Sequence, residues 1–238
     1  MDTEQNKFTV SDAPRSILIA GYSAGLGVSL EKRFQQAGYE VITVARHPSA
    51  TVQCDLTDAE ATAALFARLD QSAPPLAGVI HNAMEFLRSP MLETTALQME
   101  SVWRSMVLTA FNLAQQAVPR LAQQGGGSIL FSGASGSLRA GAGFSAFSSA
   151  KFALRGFVQA LAREHGQHGI HAAHIVIDGL IRSEKTALRF PGADPVNMID
   201  PDALAAQYFN LFHQEASVWS QEIDIRPQDA HVELRSAT

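Results

Sequence analysis

The chain has 238 residues, a net charge of −5, 46% hydrophobic residues and 17% charged residues. That balance excludes a disordered chain and fits one α/β domain, since such folds commonly run past about 200 residues without splitting. No long Lys/Arg run is present, so a nucleic-acid groove or an anionic membrane surface, each needing a basic stripe, is not expected. No apolar stretch reaches about 18 residues, and the polar opening Met1-Asp-Thr-Glu-Gln-Asn-Lys does not read as a signal peptide. The expected location is cytoplasmic. Cys54 is the single cysteine, so an internal disulfide is excluded, and no Cys/His spacing suggests a metal. His165, His168, His171 and His174 flank a turn and a strand and read as surface and core residues.

Residues 1–14 are polar and end at Pro14, which predicts a loose arm. Arg15 to Ala20 is a short apolar run, the mark of a strand covered on both faces. A glycine turn follows, then a helix from Val28 to Ala37 with Gly38 as its C-cap. Glu40–Val44 is the second strand and Thr51–Cys54 a short third. Asp58 to Leu69 is a helix capped by Thr57 or Asp58. Leu76–His81 is the fourth strand, and a long helical region covers roughly 95–122. Gly126–Ser132 is the fifth strand, Ser145–His165 a helix, and Ile170–Ile177 the sixth strand. Residues 183–199 read as irregular, with Pro191, Gly192 and Pro195. Pro201 to His213 is a helix with Asp200 as N-cap and Pro in its first turn, and Val218–Ile225 is the last strand. Strands alternating with helices need crossovers. The expected fold is therefore one α/β domain over 15–226, a Rossmann-type doubly wound parallel sheet of seven strands with helices on both faces. Residues 227–238 form a polar tail.

Ala20-Gly-Tyr-Ser-Ala-Gly-Leu-Gly27 places glycines at 21, 25 and 27 between a strand and a helix. The first makes a tight turn, the second lets backbone approach a pyrophosphate, and the third lets the helix pack on the sheet. The helix N-terminus then faces the phosphate charge. Four further segments go with it: Cys54-Asp-Leu56, His81-Asn-Ala-Met84, Ile177-Asp-Gly-Leu-Ile-Arg-Ser183, and Gly143-Phe-Ser-Ala-Phe-Ser-Ser-Ala-Lys-Phe-Ala-Leu-Arg-Gly156. Together they resemble the short-chain dehydrogenase/reductase family from about residue 15 to 226.

The resemblance implies a nicotinamide dinucleotide held by Gly21, Tyr22, Ser23, Gly25, Leu26 and Gly27, with Asp55 and Leu56 at the adenine. Asn82, Ala83 and Met84 would pass under the adenosine ribose. Gly179 and Ile181 would meet the carboxamide, with Asp178 where the family has Pro. At the end of the second strand Ala45 stands at the acid position of an NAD site and Arg46 follows. An Arg fork facing a 2′-phosphate gives a charge-assisted contact, so NADP(H) is expected over NAD(H).

Of the family's four reacting positions, Lys151 is retained. Phe147 stands at the Tyr, Ala134 at the Ser, and Met106 at the helix Asn. A phenyl ring has no proton to give, so ordinary carbonyl reduction is expected to be weak or absent. A Tyr seven positions before the Lys, used by enoyl reductases of this fold, is replaced by Phe144. Three readings stay open: an atypical NADP(H) oxidoreductase acting on a small molecule, a non-catalytic NADP(H)-binding sensor or partner subunit, and a relic without cofactor. Residues 183–200 would form the substrate lid. Trp103 and the Phe-rich face of the 145–165 helix read as core or interface, and the resemblance implies a homodimer or homotetramer.

Overall fold

The computed structural model describes residues 13–228; most of the expected arm 1–14 and of the tail 227–238 lies outside the described residues. Seven strands form one sheet: β1 (Ser16–Ala20), β2 (Glu40–Ala45), β3 (Val52–Gln53), β4 (Leu76–His81), β5 (Gly127–Ser132), β6 (Ile170–Ile177) and β7 (Glu222–Ile225). Their order is β3-β2-β1-β4-β5-β6-β7, and every pairing is parallel. Strands β1, β4 and β6 are buried at every position, which is why they read as unbroken apolar runs. The strand order reverses between β1 and β4, and in open α/β sheets the crevice at such a switch point takes the ligand.

Among the described residues, seven α-helices cover the two faces. They are α1 (Leu26–Gln35), α2 (Ala59–Ser72), α3 (Ala96–Trp103), α4 (Thr109–Gln123), α5 (Ser145–His165), α6 (Glu184–Arg189) and α7 (Pro201–Phe212). One core lies under α2–α5, where Phe66, Val102, Leu113 and Leu154 pack on Val79, Ile129 and Phe131. The other lies under α1 and α7, where Phe34, Leu204 and Tyr208 pack on Ile19, Ile80 and Leu130. Several starts follow from capping chemistry. Asp58 accepts from Glu60 and Ala61 N–H, Thr95 and Gln98 form a capping box, and Asp200 accepts from Ala203 N–H beside Pro201.

Several expected bounds need correction. Helix α1 starts at Leu26, because Gly25 is already its N-cap, and its C-cap is Gln36; Gly38 takes the left-handed turn two residues later. Strand β3 is only Val52–Gln53. The last strand is also shorter than expected: Ala216–Val218 is a 3₁₀ turn capped by Glu215, and pairing with β6 begins at Glu222. The long helical region is interrupted by a π-helical turn at Arg104–Leu108. Residues 183–199 are not wholly irregular, since Ser183 caps the short helix α6.

Candidate functional site

The C-terminal ends of β1, β2, β4, β5 and β6 converge on one rim. After β1, Gly21 turns with φ +78°, and a Cβ there would meet Ala83 N at 2.3 Å. The loop is pinned on both sides: Gly21 and Tyr22 N–H donate to Val44 O, and Asn82 N–H donates to Ala20 O. The Asn82 side chain also reaches Gly21 O, at 3.4 Å. Gly25, at φ +88°, is the N-cap of α1 and makes no side-chain cap hydrogen bond, so the helix start carries no capping side chain. Ser183 lies opposite: a Cβ on Gly25 would come within 3.2 Å of the Ser183 Cβ. A left-handed glycine cradle at an uncapped helix N-terminus fits an anionic dinucleotide phosphate.

The other cofactor candidates gather on the same rim. Arg46 is exposed after β2. Asp55 is held below the usual carboxylate range, first by the Thr57 N–H and then by the Thr57 hydroxyl, with Arg46 adding charge. Leu56 is buried and its carbonyl accepts from Asn112, at 2.9 Å. Leu26 and Gly27 begin α1, Ser23 stands partly exposed before them, and Met84 is exposed beyond β4. Asp178 is turned away from solvent by Arg139, which donates to both carboxylate oxygens at 2.9 and 3.0 Å, with Arg226 at 3.7 Å. Gly179 packs under Pro227 and Ile199, and Ile181 bridges to Ile199.

Lys151 is buried on the inner face of α5. Its Nζ donates to Ser132 O at 2.8 Å and lies 5.8 Å from the centre of the Phe147 ring. Burial pulls its pKa down to about 8. His81 ends β4 beside it. Thr109 Oγ1 donates to Ser105 O at 2.8 Å, so it accepts from His81 Nε2, also at 2.8 Å, and the imidazole carries its proton there. Burial first, and the Lys151 charge second, push the His81 pKa down to about 3.

Phe147 is 8% exposed, wedged against Gly136, where a Cβ would lie 2.9 Å from ring atom Cε1. Ala134 follows β5 and packs on the same core, and Ser135 opens a 3₁₀ turn. Met106 is fully buried in the π turn. None of the three tyrosines faces Phe147. Tyr22 donates to Glu31, Tyr39 bonds His213, and Tyr208 is buried across the sheet with its hydroxyl on Ser132 Oγ at 2.7 Å.

Sequence reasoning missed two features. The Phe86, Phe144, Phe190 ring group around Phe147 joins segments far apart in the chain. The Ser137–His174–Glu222–Arg155 chain of hydrogen bonds joins the turn after β5 to β6, β7 and α5; of its members the sequence reading singles out only His174, among the surface and core histidines.

A parallel sheet with a glycine turn and helix N-terminus at its switch point defines a nucleotide-binding α/β protein of the dehydrogenase type. The chain belongs to the short chain dehydrogenase family, which it matches over residues 15–190. It is 27% identical over 179 residues to the 3-oxoacyl-[acyl-carrier-protein] reductase MabA of Mycobacterium tuberculosis, covering 72% of this chain and 71% of that one. It is 27% identical over 222 residues to the uncharacterized oxidoreductase YciK of Escherichia coli, covering 85% and 87%. A short-chain dehydrogenase from Rhodopseudomonas palustris superposes with a TM-score of 0.76 at 28% identity, over 90% of this chain and 98% of that one. One from Streptomyces avermitilis gives 0.79 at 22%, over 90% and 88%, a likeness of fold. The family is one of oxidoreductases that use a nicotinamide dinucleotide.

Proposed function

We propose that this protein binds NADP(H) and is an atypical oxidoreductase with little or no ordinary carbonyl reductase activity. The observation that carries the reading is Phe147, closed among rings with no tyrosine hydroxyl facing it. It aligns with the family's Tyr, as Ala134 does with the Ser and Met106 with the Asn. A positioned general acid typically contributes about 10²–10⁴-fold in rate, and an oxyanion donor about 10²–10³.

Gly21–Gly27, Asn82 and Lys151 would hold the dinucleotide, with Arg46 at the 2′-phosphate; once bound, its nicotinamide supplies or accepts hydride. Lys151 keeps two N–H donors beyond the one given to Ser132 O, enough to hold a ribose diol. His81 is neutral at physiological pH and so leaves Lys151 the charged group at that end of β4. Ordinary ketone and aldehyde turnover should rise at least tenfold in Phe147→Tyr/Ala134→Ser. NADPH should bind more tightly than NADH, and Arg46→Ala should erase the difference. Equal affinities in the original chain, unchanged in Arg46→Ala, refute the cofactor preference. Brisk ketone reduction by the original chain refutes the reading of Phe147.

The second reading, a non-catalytic NADP(H)-binding protein, draws on the same missing acid. Turnover confined to the double variant supports it. Turnover of imines or enones by the original chain, lost in Lys151→Ala, supports the oxidoreductase. The exposed side chains of Leu97, Trp103, Phe111 and Phe152 support assembly as a homodimer or homotetramer.

A further inference from the structure

Four phenylalanine rings from three separated segments meet beside Lys151, whose Nζ lies 5.8 Å from the centre of the Phe147 ring. Phe86 lies in the loop after β4, Phe144 and Phe147 at the start of α5, and Phe190 at the end of α6. Phe86 is the hub, with ring centres 5.4 Å from Phe147, 5.8 Å from Phe190 and 5.9 Å from Phe144. Phe147 belongs to the core, whereas the other three rings are half-buried and keep part of their surface in water. The Phe86 pairs are tilted or edge-to-face, at 58°, 88° and 69°, an arrangement that another flat ring extends without sandwich stacking.

Two guanidiniums border this group. Arg189 Cζ lies 5.0 Å from the centre of Phe86, and Arg88 Cζ lies 5.6 Å from the centre of Phe144. Both side chains are exposed, and among the described residues neither guanidinium has a hydrogen bond or ion pair. The nearby Glu85 carboxylate is engaged by the Ser101 hydroxyl at 2.8 Å. Ring contact holds each arginine in place while its N–H fork, whose geometry matches a carboxylate, stays free. In a chain of net charge −5, two unpaired guanidiniums beside half-exposed rings form a surface for an anion that carries a flat apolar group.

We propose that this surface of rings and guanidiniums binds a planar aromatic carboxylate as the substrate, its ring packing on Phe86, Phe144 and Phe190 and its carboxylate held by Arg88 and Arg189. The proposal deepens the oxidoreductase reading and rests on it for the role of substrate; the binding itself is measured independently of the cofactor. Calorimetric titration of the full chain with cinnamate, cinnamamide and hexanoate separates ring from charge, and NADPH affinity is followed in parallel by the fluorescence of the dinucleotide. Cinnamate should bind at least tenfold more tightly than either comparison compound. Arg88→Ser/Arg189→Ser should abolish the preference for cinnamate over cinnamamide, with thermal unfolding and NADPH affinity unchanged. Phe86→Leu, which keeps an apolar side chain, should abolish the preference over hexanoate. Equal binding of cinnamate and cinnamamide, equal binding of hexanoate, or no binding of cinnamate at millimolar concentration overturns the proposal. Cinnamate binding that persists where NADPH fails to bind leaves this site standing and removes the cofactor reading instead.

Discussion

Lys151 carries a cost that its proposed role explains. The ammonium is 1% exposed, donates to one carbonyl, and has no carboxylate beside it among the described residues. Burial lowers its pKa from 10.5 to about 8, so folding disfavours the charged form. Between pH 8 and 10.5 the unfolded chain binds more protons at this residue, and stability therefore rises with pH across that window. An apolar side chain of similar length removes the penalty, while the Ser132 carbonyl loses one donor. Lys151→Met should thus stabilise the protein at pH 7 by about 1–3 kcal/mol, the shift corresponding to about 1.4 kcal/mol per unit, and should flatten the rise above pH 8. Urea unfolding at pH 7, 8 and 9 measures both effects. A variant less stable than the parent at pH 7 would show that the Ser132 hydrogen bond outweighs desolvation. Under the proposed dinucleotide role, this is stability given up at a ligand-binding position, the usual trade between function and folding.

Between elements, a partly buried chain of polar groups ties the loop after β5 to β6, β7 and α5. Arg155 grips Glu222 through two contacts of 2.6 and 2.7 Å, and Glu222 accepts from His174 Nδ1 at 3.0 Å. With the His174 proton fixed there, Nε2 accepts the Ser137 hydroxyl at 3.2 Å, and Ser137 Oγ in turn accepts from Ala134 N–H. This has the order of a Ser–His–acid triad, but Ser137 and His174 are both fully buried, so its work is to hold Ala134 and Gly136 against Phe147. Burial lowers the His174 pKa to about 4, against the smaller upward pull of Glu222; the Arg155 bond holds the Glu222 carboxyl low. Below pH 6.5 the unfolded chain takes up protons that folded His174 and His81 refuse, at about 1.4 kcal/mol per pH unit for each histidine. Stability should therefore fall steadily from pH 6.5 to 4, with Glu222 adding loss below the ordinary carboxylate range. In His174→Gln the slope over that window should fall by the share of one histidine, about 1.4 kcal/mol per pH unit. An unchanged slope in denaturant titrations would remove His174 from the account.

None of this network could be read from the chain, because its hydrogen-bond partners stand 37, 48 and 67 residues apart. Strands β4 and β6 and helix α5, by contrast, were bounded to the residue, since each is one uninterrupted pattern with turn chemistry at its ends. The π turn that carries Met106 leaves no mark on side-chain periodicity, and the early end of β7 depends on where β6 offers partners. The glycine cradle was legible because two of its positions, Gly21 and Gly25, stand at positive φ, which favours glycine. The ring group around Phe86 was not, because contacts among distant loops have no period.

For the whole molecule, the unbalanced feature is the outer surface of α3, α4 and α5. Leu97 is 77% exposed, Met99 40%, Trp103 43%, and Phe111 and Phe152 44% each. The Ser149 hydroxyl reaches Met99 Sδ at 3.9 Å, and Phe111 meets Phe157 edge-on, so α3 and α4 both border α5 and the apolar side chains lie along adjoining helices. Scattered exposed apolar residues are ordinary, whereas a contiguous set spread over packed helices marks an interface. A two-fold pairing is self-complementary and places the same side chains opposite one another, which suits Trp103 and Phe152, since large aromatics anchor such contacts. Sedimentation at about 10 µM, a concentration at which an obligate interface should be filled, is expected to give a dimer or tetramer. Trp103→Glu/Phe152→Glu places buried like charges across the axis and should release monomers, with unfolding midpoints lowered because assembly no longer stabilises the fold by mass action. A parent chain that sediments as a monomer, or a double variant that stays assembled, would assign this apolar surface to some role other than self-association.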